Sequence, residues 1–266
     1  MLKNFDLISK NYRVFSKNKV MIAIIPARSG SERVKDKNIK IVNHHPLIAY
    51  TIEFAKNSKI FDKIICTTDS EKIGKIAKYY GCDEVIIRSK EISGANSPDI
   101  DWINDLVKKN LLTSEYFCIL RITSPVKNNA TLNSAFQLLI KTGGDSIRAI
   151  TKVRDHPGKV WIYLNKSKGL ISPVIESSGS SNLAFHARQY QDLPLMYVQT
   201  SSFEFIKTSS VLKYGTREGK IILVFEMSYP ETINIDYNDD FEFFKYLSEN
   251  GKINLPDIKY PPFVMV

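Results

Sequence analysis

The chain reads as an α/β protein with a Rossmann-like, mostly parallel twisted sheet flanked by helices. Two observations predict this. Apolar strand-like runs alternate with helix-like segments at βα spacing between residues 20 and 153, the pattern of a doubly wound sheet. The 266 residues, 43% hydrophobic and 11% aromatic, also suffice for a full α/β core with a small second module.

The elements follow in order. Residues 20–25 form a continuous apolar run, a buried strand that breaks at Pro26. Residues 46–56 have helical spacing, with Pro46 suited to a first turn. Residues 63–67 are a second strand. Thr68-Asp69-Ser70-Glu71 resembles a capping box opening a helix over 71–80 that ends at Gly81. A third strand is predicted over 84–87, a helix over 98–109, a fourth strand over 116–120, a helix over 130–141 stopped by Gly143-Gly144, and a fifth strand over 146–153. The pattern then changes. Residues 154–196 read as an insertion of irregular and β structure, with a strand candidate at 161–164 and a linker-like run at 177–181. Regular segments resume at 196–206 and 221–227, and 239–248 is the last clear helix. The division predicted is an extension over 1–19, a main α/β domain from 20–153 and 197–266, and the insertion 154–196 between them.

Composition bounds the partners. The formal net charge of +9 attracts anions without choosing among nucleotides, acidic sugars, nucleic acid and membranes. The cations are spread along the chain with no polybasic tail, which argues against nucleic acid and membrane as partners. No apolar run nears the ~20 residues that span a bilayer, and residues 1–20 lack a secretory pattern. Three cysteines without a C-x-x-C pair fit a reducing, cytoplasmic location rather than a disulfide or zinc framework.

Three segments carry chemistry. The first follows the opening strand: Pro26-Ala27-Arg28-Ser29-Gly30-Ser31-Glu32-Arg33-Val34-Lys35-Asp36-Lys37-Asn38. Small residues let backbone N–H groups approach phosphate oxygens, and the clustered cations neutralise them. It is neither a P-loop nor a dinucleotide fingerprint, and a solvated basic loop has the same composition. Loops beyond the carboxyl ends of parallel strands are where such sheets bind ligands. The second is Leu120-Arg121-Ile122-Thr123-Ser124-Pro125, a buried strand delivering an arginine and two hydroxyls into a turn, or simply a turn. The third is Asn234-Ile235-Asp236 followed by Asp239 and Asp240. The last two aspartates suit a helix N-terminus, while Asp236 at a strand end suits a hard metal ion.

Together these segments resemble the CMP–sialic acid synthetase family, the acylneuraminate cytidylyltransferases. Ile25, Pro26, Ala27, Arg28, Gly30, Ser31, Lys37 and Asn38 match its I-P-A-R-x-G-S-…-K-N signature, and Arg121–Pro125 resemble its [QR]-P-T-S-P turn. His156-Pro157-Gly158-Lys159 and Gln191-Asp192-Leu193-Pro194 resemble motifs of its inserted dimerisation region, and Asn234-Ile235-Asp236 its D-I-D metal motif. The resemblance implies an enzyme joining CTP to an acidic nine-carbon sugar, with Mg²⁺ as cofactor and a homodimer as the functional unit. It implies Arg28, Lys37 and Asp236 as catalytic residues and Ser31, Asn38, Arg88, Ser97 and Arg121 at the nucleotide. Lys159 (from the partner subunit), Arg188, Gln191 and Glu204 would lie at the sugar, and Asp236 and Asn234 at the metal. Departures from the pattern, Tyr190 for an arginine and Thr200-Ser201-Ser202-Phe203-Glu204 for N-G-A-I-Y, point away from plain N-acetylneuraminate toward a legionaminic- or pseudaminic-type acid. The alternatives weighed are a cytidylyltransferase for the eight-carbon acid KDO or for a sugar or polyol phosphate, and a non-catalytic nucleotide-sugar binder.

Overall fold

A computed structural model describes residues 21–175 and 183–264. The extension 1–19 and the run 177–181 lie outside the described residues. The chain runs β1 (Ile22–Pro26), a short hairpin of β2 (Ile41–Val42) and β3 (His45–Pro46), α1 (Leu47–Ser58), β4 (Lys63–Thr68), α2 (Glu71–Tyr79) and β5 (Glu84–Ile87). It continues through α3 (Asp99–Lys108), β6 (Tyr116–Leu120), α4 (Asn129–Thr142), β7 (Ser146–Lys152), β8 (Trp161–Asn165) and β9 (Leu170–Pro173). The last elements are β10 (Tyr197–Lys207), α5 (Thr208–Tyr214), β11 (Ile222–Glu226) and α6 (Asn238–Glu249).

Seven strands form one sheet in the order β11-β7-β10-β6-β1-β4-β5. All neighbours are parallel except β10, which runs antiparallel to both β6 and β7. Residues alternate between the two faces of a strand. Ala23 and Ile25 of β1 therefore pack with α1, α2, α4 and α6, whereas Ile22 and Ile24 pack with α3 and α5. Helix ends follow local chemistry. The Ser70 hydroxyl accepts from the Ile73 N–H at 3.3 Å to cap α2, and Asp240 accepts from the backbone of Asp236 and Tyr237 to open α6.

Two features of the sheet shape the site. The pairing of β10 with β7 slips between Gln199 and Glu204. Such a bulge re-aims side chains; here Gln199, Ser201 and Glu204 all face the same cleft despite their mixed parity. The turn after α5 is locked onto Asp145. Its carboxylate accepts from Lys220 N (2.8 Å), Ile221 N (2.9 Å) and the Ser210 hydroxyl (2.6 Å). Gly219 has φ +72°, and an added Cβ would sit 2.3 Å from the Asp145 Cβ.

The insertion carries the β8–β9 hairpin and three short 3₁₀ turns, at Pro157–Lys159, Phe185–Ala187 and Tyr190–Asp192. Three of the four histidines make structural contacts. His156 accepts from Gly158 N, His186 packs on Trp161, and His45 meets the Tyr80 hydroxyl at 3.1 Å.

Gly219→Ala combines backbone strain with overpacking, so it is expected to cost about 2–4 kcal/mol. Gly143→Ala, where φ is +69° but no atom lies within 4 Å, is expected to cost only about 1 kcal/mol. Paired denaturant melts measure both; equal losses would contradict the packing argument.

Candidate active site

A cleft of about 540 Å³ opens beyond the carboxyl ends of β1, β5 and β6. It gathers most of the residues singled out in the sequence: Arg28, Ser31, Lys37, Asn38, Arg88, Ser97, Arg121, Glu204 and Asp236 all line it. Lys159, Arg188 and Gln191 do not.

The first loop is held by its own polar groups. The Asn38 side chain donates to the Arg28 carbonyl at 2.8 Å and so fixes the loop. Ser29 donates through its N–H (2.7 Å) and hydroxyl (2.9 Å) to Asp69 at the end of β4. Arg28 reaches over the cleft to the Gly94 carbonyl at 3.3 Å. Lys37 is buried, and its Nζ donates to the Ile235 carbonyl at 2.7 Å. Burial pulls the Lys37 ammonium below the ordinary lysine value, and nearby Asp236 offsets only part of this. Lys35 is exposed and outside the cleft lining.

Asp236 projects from the segment before α6. One oxygen pairs with Arg33 at 3.1 Å, and the other accepts from the Asn234 amide nitrogen. The Asn234 oxygen accepts from the Ser124 hydroxyl at 3.2 Å. The expectation that Asn234 offers an oxygen to a metal therefore meets a different geometry: its amide supports Asp236 as a donor. Among the described residues no group of three or more His, Cys, Asp or Glu side chains stands together.

Arg88 is 8% exposed, and its Nε and Nη2 have no hydrogen-bond partner among the described residues. Burial lowers its pKa, with Asp69 and Asp99 opposing. A buried guanidinium with spare donors on a cleft wall is costly unless a ligand completes it.

The opposite wall is an ion network. Arg121 pairs with Asp99 and with Glu204 (3.0 Å), Arg217 with Asp99, Glu204 (3.4 Å) and Glu218 (3.0 Å), and Arg148 with Glu218 (2.5 Å) and Glu204 (3.6 Å). Burial opposes the charges of Asp99 and Arg121. Mutual pairing still holds Asp99 below the ordinary carboxylate value and Arg121 above the ordinary arginine value. Glu204 is 1% exposed. The sequence reading placed it at the sugar; in the structure it lines the cleft enclosed by three arginines, which it positions. Asp99, Gln199, Ser201 and Arg217 were not foreseen. Only Asp99, an acid at the start of a predicted helix, left a local signal.

Lys159, Arg188 and Gln191 sit on the insertion. Lys159 donates to the carbonyls of His186 (3.2 Å) and Arg188 (2.8 Å). The Arg188 guanidinium lies over Phe185 and donates to Leu183 O at 2.9 Å. Gln191 is exposed.

Residues 22–156, about half the chain, match the sequence family described as Cytidylyltransferase. The chain is 40% identical over 224 residues to an N-acylneuraminate cytidylyltransferase of Escherichia coli O18:K1:H7, an alignment covering 84% of this chain and 50% of that protein. It thus spans half of that relative's length. It is 28% identical over 233 residues to a pseudaminic acid cytidylyltransferase of Campylobacter jejuni, covering 85% of this chain and 95% of that one. Among solved structures, a CMP:2-keto-3-deoxy-manno-octonic acid synthetase complexed with CTP superposes with a TM-score of 0.65 at 13% identity, covering 88% of this chain and 100% of that chain. At that identity the likeness shows the α/β fold.

Lys127 anchors the turn after β6. Its stem is half-buried, but its Nζ donates to the carbonyls of Arg121 (2.8 Å) and Ser124. Burial lowers its pKa to about 7, opposed by Cys118 and Glu231. The folded value lies below the unfolded one, so the stability linked to this group is present above about pH 10 and lost as pH falls through about 7. Lys127→Met removes both the bonds and this slope. Its deficit in urea melts is expected to be largest near pH 9.5 and to shrink by about pH 6.5; a deficit equal at both values would show that Lys127 keeps an ordinary pKa.

Proposed function

The chain belongs to the cytidylyltransferase family, and from that premise we propose that it joins CTP to an acidic nonulosonic sugar of the sialic acid type, forming the CMP-sugar and pyrophosphate. One observation of the site carries this reading. Three cations, Arg28, Arg33 and Lys37, converge with the carboxylate of Asp236 at the first loop, which is the charge set a triphosphate requires. The names of the relatives supply the second substrate.

In this reading the anomeric hydroxyl oxygen forms a bond to the α-phosphorus of CTP as the bond from phosphorus to the bridging oxygen breaks. Such a displacement is catalysed by positioning and by stabilising charge. Arg28 and Lys37 hold the phosphates and take up the charge of the departing pyrophosphate. Ser31 adds a hydrogen bond, Asn38 keeps the loop in shape, and Arg88 and Ser97 serve the nucleoside end. Mg²⁺ is the proposed cofactor. Asp236 would hold it, since Mg²⁺ needs only one or two carboxylates when phosphate oxygens and water complete its shell. Bound there, it supplies Lewis-acid neutralisation of phosphate charge.

Two observations bear on the sugar. The 40% identity to an N-acylneuraminate enzyme favours that acid, whereas the departures at Tyr190 and residues 200–203 favour a pseudaminic- or legionaminic-type acid. The proposed class is therefore the nonulosonic acids, feeding surface glycan synthesis in the cytoplasm. Among the described residues no helix is long and apolar enough to cross a membrane.

A homodimer is part of the proposal. The β8–β9 hairpin exposes Ile162 (51%), Tyr163 (63%), Leu164 (61%) and Leu170 (54%). An isolated two-stranded hairpin is marginal in water, and a patch of this kind marks an interface. A second copy is the fitting occupant, and its Lys159 would complete the sugar site.

With CTP and Mg²⁺, pyrophosphate release is expected with one or more nonulosonic acids, and no release with KDO. Arg28→Met and Lys37→Met are each expected to lower kcat/KM by about a hundredfold or more. Turnover confined to KDO, or absent with every acid, would overturn the reading. By light scattering the wild type is expected to be a dimer and Leu164→Glu a monomer with the far-UV spectrum retained; a dimeric L164E protein would remove the hairpin from the interface.

A further inference from the structure

The cleft has two electrically different halves. In the first, the four lining cations Arg28, Arg33, Lys37 and Arg88 outnumber the lining carboxylates Glu32 and Asp236 among the described residues. In the second, two lining arginines (Arg121, Arg217) are matched by two lining carboxylates (Asp99, Glu204), and Arg148 and Glu218 extend the same network outside the cleft lining. A balanced wall adds no net attraction for an anion, yet it still presents hydrogen-bond donors.

Arg217 is the most firmly presented of these donors. It stands on the turn between α5 and β11, which is closed by Gly219 and tied to Asp145 by two backbone bonds. Its Nε is engaged by Glu218 and its Nη1 by Asp99 and Glu204; Nη2 is engaged by none of these. Beside it on the cleft wall is Gln199, whose oxygen already accepts from Arg148 at 2.9 Å and whose amide N–H groups are left as donors.

We propose that Arg217, with Gln199, is a specificity-determining residue that reads the carbonyl oxygen of an N-acylamino substituent on the acceptor sugar. The inference rests on the proposed cytidylyltransferase activity and names what this wall recognises. A donor wall suits an oxygen that accepts without also bringing a proton, which favours an amide carbonyl over a hydroxyl. Charge balance disfavours the acceptor's carboxylate, because that anion would lie beside Asp99 and Glu204 without a spare cation. The carboxylate belongs in the cation-rich half.

The test compares two acids of the same carbon skeleton, one carrying an N-acylamino group and one a hydroxyl at the same carbon. Wild type is expected to prefer the N-acyl acid by about tenfold to a hundredfold in kcat/KM, the range of a hydrogen bond to a charged group. Arg217→Met is expected to shrink this ratio to within about threefold. Arg217→Lys keeps the charge balance but loses the planar fork, so it guards against misfolding and is expected to lose most of the ratio too. Gln199→Leu is expected to reduce it partly. Equal losses on both acids, showing that Arg217 reads a group they share, would overturn the inference, as would an unchanged ratio in R217K and R217M. If wild type turns over neither acid nor any other nonulosonate, the proposed activity itself fails. Turnover by wild type with an unaltered ratio in the variants fails this inference alone.

Discussion

The site depends on how Ile235 is held. Its side chain is fully buried, its N–H donates to the Thr123 carbonyl at 2.8 Å, and its carbonyl accepts from Lys37 at 2.7 Å. The segment is therefore pinned between the turn after β6 and the loop after β1. Ile233 is also buried, so the alternation of an extended chain turns Asn234 and Asp236 to the same side, where Asp236 lines the cleft and Asn234 supports it. Lys37 thus acts twice. One of its protons fixes the backbone that presents Asp236, and its charge faces the same space. Removing it would disturb the placement of Asp236 and the charge of the first loop at once.

The two halves of the cleft differ because they are built differently. The cation-rich half rests on a loop whose backbone is tied by Asp69 and Asn38, leaving the arginine and lysine heads with few acidic partners. The balanced half rests on the β10 bulge, the start of α3 and the turn after α5, where the arginines are enclosed. An enclosed arginine needs a carboxylate beside it, since an unpaired buried charge is strongly unfavourable. Glu204, at 1% exposure between three arginines, meets that need. Arg88 is the exception that marks the ligand: it is buried, and two of its nitrogens are unmatched.

Most of the parallel sheet was legible because its strands are continuous apolar runs closed by caps and glycines. The boundaries of β5 and β6 coincide with the sequence expectation, and those of the other anticipated strands and helices differ by one or two residues. The antiparallel direction of β10 was not legible, since a buried strand has the same composition in either direction. Nor was α5, a seven-residue helix without a side-chain cap, or β9, four residues of the hairpin. The same division holds in the site. The residues of the first loop lie within fifteen positions of one another and form a local pattern. Asp99, Gln199 and Arg217 come from three distant segments that only the packed sheet brings together. Glu204 was noticed, but its enclosure by three arginines was not, because sequence position does not reveal what packs around a side chain.

Asn234 follows from the same charge accounting. A second carboxylate at that position would stand beside Asp236, and two anions that close cannot both stay charged without added cations. The amide avoids this. It donates to Asp236 and is itself oriented by the Ser124 hydroxyl, so one carboxylate is held in place by neutral neighbours and balanced by Arg33. In the proposed reading, a cation arriving with the triphosphate would meet a single, pre-oriented charge rather than a pair. Most of its remaining ligands would have to come from the phosphates and water. Retention of such a metal would thereby be tied to the presence of the nucleotide, a coupling that a chain with two carboxylates at these positions would weaken.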